Sequence, residues 1–237
     1  MGHVRALFLD LDSTLLDSSL FHQSIVRTCQ ELARVGPGLD ADQLHQANGK
    51  VFKDYGMKQV DDWTLGRISG VELTGQLWRQ TLLACGCDDG GLAQRAGELH
   101  GRFMQDTYRP FDDVAQLRAA VERAGIPVAL VTNGASDTQR EKLETLGLTG
   151  WFSALAISGE LGVAKPDIGA FTPALEALGV VGKEVWHVGD NLETDVAGAN
   201  AAGLTAVWLN RDGAERSPDA PQPDVEISSL AELVPYL

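Results

Sequence analysis

The 237-residue sequence is poor in positive charge, in cysteine and in long apolar runs. Lysine and arginine number 19 against 33 aspartates and glutamates, a formal charge of -14. Such a surface repels the phosphate backbone of nucleic acid and anionic lipid at long range, so neither nucleic acid nor membrane is expected as a partner. Three cysteines, Cys29, Cys85 and Cys87, are an odd number with no C-x-x-C spacing, and the last two are too close in sequence for an ordinary bridge. They read as reduced thiols. The apolar run Ala6 to Leu9 is cut by Asp10 and Asp12, too short and too charged for a signal peptide or a membrane helix, so a cytoplasmic protein is expected. Nine prolines, 26 glycines and no repetitive tract exclude collagen-like, coiled-coil and wholly disordered chains.

What is present is enough apolar residue, 44%, to bury a sizeable core. Four short apolar runs, each ending in polar or Gly-rich residues, read as buried parallel strands: Ala6 to Asp10, Pro127 to Thr132, Glu184 to Gly189 and Thr205 to Asn210. Ala154 to Ser158 and Val225 to Ile227 are weaker candidates. Between them Val114, Leu117, Val121 and Ala124 keep helical spacing up to Gly125, and Ser136 with Gln139 has the form of a capping box before Leu143 and Leu146. Alternating strands and helices predict a doubly wound parallel α/β sheet. From about Ser18 to Thr107 the pattern is helical only (Phe21/Ile25/Leu32, Leu73/Leu77, Leu92/Ala96/Leu99/Phe103). An inserted helical domain over 18–107 is expected, leaving 1–17 and 108–237 as the core.

In such a sheet the ligand crevice lies beyond the carboxyl ends of the strands. The first run ends in Asp10-Leu-Asp12-Ser-Thr14, the second in Thr132-Asn133-Gly134 with backbone N–H groups free to cradle an anion, and the third in Gly189-Asp190 with Asp195 at a following helix start. Lys165-Pro-Asp167 precedes another helix. Taken singly, these are common turns and caps. Converging, the carboxylates would repel by about 4 kcal/mol per pair at ~4 Å and an effective dielectric of ~20, which calls for a cation. Oxygen ligands from Asp10 and Asp190, without His or Cys, suit Mg²⁺ rather than zinc. With Lys165 and Thr132 around the oxygens, one carboxylate can attack phosphorus while its neighbour manages the leaving-group proton.

In these four motifs, in this order and over nearly the whole chain, the sequence resembles the haloacid dehalogenase superfamily of hydrolases, with the insertion resembling that family's helical cap of the first type. The resemblance implies Asp10 as nucleophile and metal ligand, and Asp12 as general acid and base with its backbone carbonyl on Mg²⁺. Thr132 and the N–H groups of Asn133 and Gly134 would bind phosphoryl oxygens, and Lys165 would join nucleophile and phosphate. Asp190 would ligate the metal, with Asp195 ordering the ligands from behind. Ile168 departs from the proline common there in relatives.

The implied activity is a Mg²⁺-dependent phosphatase acting on a small phosphorylated metabolite through an aspartyl-phosphate. A phosphomutase shares every core residue. A 2-haloacid dehalogenase has no need of Asp12, because halide leaves without a proton. A phosphoaccepting receiver domain, the non-enzyme alternative, is far shorter and lacks the insertion. His187 is expected to pack structurally, Trp63, Trp78 and Tyr55 either to line the insertion's substrate side or, the more frequent outcome, to fill its core, and Arg67 and Lys53 to contact substrate. Oligomeric state and the individual substrate are not readable.

Overall fold

The computed structural model describes residues 4–237. Its centre is a six-stranded, all-parallel sheet: β1 (Ala6–Leu9), β2 (Val128–Thr132), β3 (Ala154–Ile157), β4 (Val185–Gly189), β5 (Thr205–Leu209) and β6 (Val225–Ile227), in spatial order β3-β2-β1-β4-β5-β6. All six expected runs are strands. β1, β2, β4 and β5 are buried throughout, as their unbroken apolar sequences require. Alternation along each strand divides the core into two layers. Leu7, Leu9, Leu130 and Val188 face Leu117 and Val121 of α6 (Val114–Ala124), whereas Ala6, Phe8, Val131 and Ala206 face Phe171, Val196 and Ala199. Gly125 ends α6 at φ +66°, where a side chain would be strained.

Between β1 and β2 stand α1 (Phe21–Val35), α2 (Ala41–Val51), α3 (Met57–Thr64), α4 (Gly70–Ala84) and α5 (Gly90–Gln105), with a π-helical stretch Phe52–Gly56 joining α2 to α3. Asp40, Ser69 and Asp89 cap α2, α4 and α5 by accepting backbone N–H groups. These helices enclose a core of their own, in which Cys29, Leu32 and Leu44 meet Trp78, Leu82 and Leu99. Trp78 therefore fills that core, as expected, and all three cysteines are free thiols. The chain enters and leaves the helices side by side: Leu16 bridges Pro110 antiparallel, and Arg109 donates to Asp17 Oδ2 at 2.7 Å.

The rest of the chain adds α7 (Ser136–Thr145), α8 (Ser158–Leu161), α9 (Thr172–Leu178) and α10 (Ala197–Ala201). The capping box expected at Ser136 and Gln139 is not formed: Ala135 is the N-cap, the Ser136 hydroxyl donates to Glu160, and Gln139 is turned inward. A capping box does occur near the end, where Ser229 and Glu232 start the final 3₁₀ turn.

Candidate active site

From β1 the chain builds the sheet in one direction through β2 and β3, then crosses to β4, β5 and β6 on the other side. The crevice opens at that reversal, beyond the ends of β1 and β4. Asp10 follows β1 and Asp190 follows β4, so topology alone makes them neighbours. One carboxylate oxygen from each of Asp10, Asp190 and Asp195 lies within 4.8 Å of the others.

Lys165, buried to 4% exposure, reaches into this cluster from the loop after α8. Its Nζ donates to Asp10 Oδ1 at 2.7 Å and to Asp195 Oδ1 at 2.6 Å. The Asn133 side chain fixes that loop, donating Nδ2 to the Lys165 carbonyl (3.0 Å) and accepting the Lys165 N–H at Oδ1 (2.9 Å). Asp195 sits within a π-helical turn, Leu192–Val196, capped by Asn191; it is not at the helix start as the sequence suggests. Its carboxylate is held by Lys165, by His187 Nε2 at 2.9 Å and by the Asn191 N–H at 3.1 Å. His187, expected only to pack, does pack edge-on against Phe171, and it also anchors Asp195.

Gly189 makes that anchorage possible. A Cβ there would lie 2.1 Å from Asp195 Cγ, so any side chain would drive the carboxylate off Lys165. Gly189→Ala is expected to lower the melting temperature by several degrees and turnover by about tenfold, because it displaces Asp195, and with it Lys165, by a fraction of an ångström or more. Thermal melts and steady-state rates on the purified variant check it.

The charges are set by burial and by one another. Burial, together with the Asp195 charge and against the pull of Lys165, pushes Asp10 up to about 7. Burial and Asp195 push Asp190 up to about 6. Burial alone would raise Asp195, but Lys165 and His187 outweigh it and hold the group well below the carboxylate range. Burial likewise opposes the Lys165 charge, yet Asp10 and Asp195 keep its ammonium above the ordinary lysine value. Two carboxylates whose ionised forms are disfavoured, facing one another and carrying oxygen donors only, fit a hard divalent cation such as Mg²⁺.

Thr132 ends β2 with its Oγ1 accepting from Gln139 Nε2 at 2.7 Å. The N–H of Gly134 is not free, contrary to expectation: it donates to Ser158 Oγ at 2.9 Å, and that hydroxyl donates to the Thr64 carbonyl at 2.6 Å. A Cβ on Gly134 would meet the Trp63 ring at 2.8 Å. Trp63 thus lies over the crevice and does not fill the helical core. Arg67 is paired with Asp62 at 2.8 Å, and Lys53 is exposed.

Asp12 points to α7. Lys142 Nζ lies 2.7 Å and 2.8 Å from its two oxygens, and Gln139 Nε2 lies 3.1 Å from Oδ2. Neither role was apparent from sequence. Lys142 lies one residue before Leu143 and four before Leu146, on the helix's apolar stripe, and that position was the available signal.

A family model described as haloacid dehalogenase-like hydrolase matches residues 4–203. The chain belongs to that hydrolase family. Among curated relatives, the phosphoserine phosphatase of Thermus thermophilus is 42% identical over 146 residues, which are 61% of this chain and 58% of that protein. The ribulose-1,5-bisphosphate 5-phosphatase of Halopiger xanaduensis is 30% identical over 96% of this chain and 97% of its own. Among solved structures, a 2-haloacid dehalogenase from Pseudomonas syringae superposes with a TM-score of 0.71 at 23% identity over 98% of this chain and 97% of its own, a likeness of fold. This hydrolase carries Asp10 and Asp190 just beyond the ends of β1 and β4 of a Rossmann-like sheet, and no helix among the described residues is long and apolar enough to cross a membrane.

Proposed function

We propose that this hydrolase is a cytoplasmic, Mg²⁺-dependent phosphatase that cleaves a small phosphorylated metabolite through an aspartyl-phosphate, with residues 18–107 as a cap over a core of 1–17 and 108–237. The observation that carries the reading is the division of labour between two carboxylates: Asp10 against Lys165 and the acidic cluster, and Asp12 apart from that cluster on a separate support. Halide departure from carbon has no use for the second. The relatives named as phosphatases support the same branch.

In this reading the Asp10 carboxylate attacks phosphorus while the ester oxygen leaves with a proton from Asp12. Lys165 has three protons, two of them on Asp10 and Asp195, so the third is available to a phosphoryl oxygen. Thr132 adds a hydroxyl. Water then attacks the aspartyl-phosphate, gives its proton to Asp12, and releases inorganic phosphate with Asp10 restored. Asp10 and Asp190, with the Asp12 carbonyl, would hold the metal, which would there neutralise charge developing on the phosphoryl group. Asp195 holds Lys165 and the metal-facing carboxylates in place. Trp63 helps close the crevice against bulk water.

Phosphate release from a panel of phosphate esters in Mg²⁺ buffer tests the proposal, and halide release from a 2-haloacid with no phosphate release would sink it. The metal leaves a second signature. Asp10 and Asp190 hold protons near neutrality that the unfolded chain has already released, so the metal-free protein loses stability as pH rises from about 4 towards 7. Bound Mg²⁺ removes that penalty. The rise in melting temperature on adding Mg²⁺ is therefore expected to be several degrees at pH 8 and much smaller at pH 5; equal shifts would remove the metal from this cluster.

A further inference from the structure

We propose that Gln139 and Lys142 are positioning residues for phosphoryl transfer: together they fix the Asp12 carboxylate beside Thr132 and turn the Thr132 hydroxyl outward as a donor. The inference rests on the phosphatase reading above and concerns residues outside its four motifs.

An ammonium group can only donate. The Gln139 atom 2.8 Å from Lys142 Nζ is therefore Oε1, and this settles which way the amide faces. Its NH₂ group then faces Thr132 Oγ1 at 2.7 Å, Asp12 Oδ2 at 3.1 Å and the Asn133 carbonyl at 3.2 Å. Because Thr132 Oγ1 receives a proton from Gln139, its own O–H must point elsewhere, and at the end of β2 the crevice is where a phosphoryl oxygen would accept it. A single amide thus spans the phosphate-binding hydroxyl and the acid that serves the leaving group.

Lys142 fixes the other end. Both Asp12 oxygens lie against one Nζ, so rotating the carboxylate away would strand a cation whose side chain is only 6% exposed. Lys142 Nζ also lies 5.9 Å from the ring centroid of Phe21, the first residue of α1, at the edge of cation–π range. Among the described residues neither Gln139 nor Lys142 hydrogen-bonds Asp10, Lys165 or Asp190. Their influence on chemistry has to pass through Asp12 and Thr132, which gives it a recognisable kinetic form.

The test compares Lys142→Met, Lys142→Arg and Gln139→Leu with wild type on an alkyl phosphate and on p-nitrophenyl phosphate in Mg²⁺ buffer, with melting temperatures recorded for each. Lys142→Met should lower kcat for the alkyl ester on the order of 10- to 100-fold and for the aryl ester far less, with little change in KM, because only the alkoxide needs a well-placed acid. Lys142→Arg should recover part of the alkyl rate. Gln139→Leu should in addition weaken inhibition by inorganic phosphate several-fold, since Thr132 no longer receives the proton that turns its hydroxyl outward. If Lys142→Met does not fold, the alkyl-to-aryl ratio and phosphate inhibition of Gln139→Leu decide the matter. A lowered melting temperature with an unchanged alkyl-to-aryl ratio would show an ion pair that serves stability alone and would overturn the inference. Absence of phosphate release from either ester by the wild type would instead bring down the phosphatase reading, and the positioning roles with it.

Discussion

Asp10→Asn should abolish phosphate release from every ester, alkyl or aryl, a loss on the order of 10⁴-fold or more. The amide keeps the shape and can still accept from Lys165, but it cannot form the phosphoryl-enzyme bond. The same substitution should not harm the fold. Burial already disfavours the Asp10 charge strongly enough to push its pKa up to about 7, so in metal-free buffer at pH 8 the variant should melt at the wild-type temperature or above it. Lys165 keeps Asp195 as its ion-pair partner. The Mg²⁺-induced rise in melting temperature should shrink, because one of the two carboxylates proposed to hold the metal is gone. Activity lost while stability is retained or gained marks a group kept for chemistry against the preference of its surroundings. Measurable turnover by Asp10→Asn would remove Asp10 as nucleophile.

Much of this arrangement was legible in the sequence because it follows from the strands. Buried parallel strands need unbroken apolar runs, and the polar residue that ends or follows each run must lie at the sheet's carboxyl edge, which puts Asp10, Thr132 and Asp190 there from the sequence alone. The helical insertion was legible for a similar reason, since its apolar spacing changes period at the end of β1. The residues that were missed depend on how a helix is rotated about its axis. Ser136 and Gln139 have capping-box spacing, but Ala135 is the N-cap and Ser136 the first residue of α7, which turns Gln139 and Lys142 towards Asp12. The Gly134 N–H could not be read as engaged because its acceptor, Ser158, lies 24 residues away across β3. His187 packs as expected, against Phe171, but its contact with Asp195 arises from a π-helical turn that sequence periodicity does not reveal.

Asp12→Asn should separate the two halves of the reaction. The alkoxide of an alkyl phosphate is a poor leaving group at neutral pH, so losing a positioned acid should cost about 10²- to 10⁴-fold with that substrate. An activated aryl phosphate needs little protonation, and its first step should survive much better. Both substrates share the second step, in which water attacks the aspartyl-phosphate and Asp12 would take its proton. With the aryl ester the variant should therefore show a burst of phenolate followed by slow turnover, and acid-quenched protein should carry a phosphoryl adduct on Asp10. The Asp12 backbone carbonyl is unchanged, so the Mg²⁺-induced rise in melting temperature should persist. The amide can still accept from Lys142 through its oxygen, though it can no longer chelate Nζ with two oxygens as the carboxylate does at 2.7 and 2.8 Å. Equal losses with alkyl and aryl esters and no trapped adduct would deny Asp12 its acid and base role. The second carboxylate would then be a counter-ion to Lys142, and it would no longer distinguish this site from that of a dehalogenase.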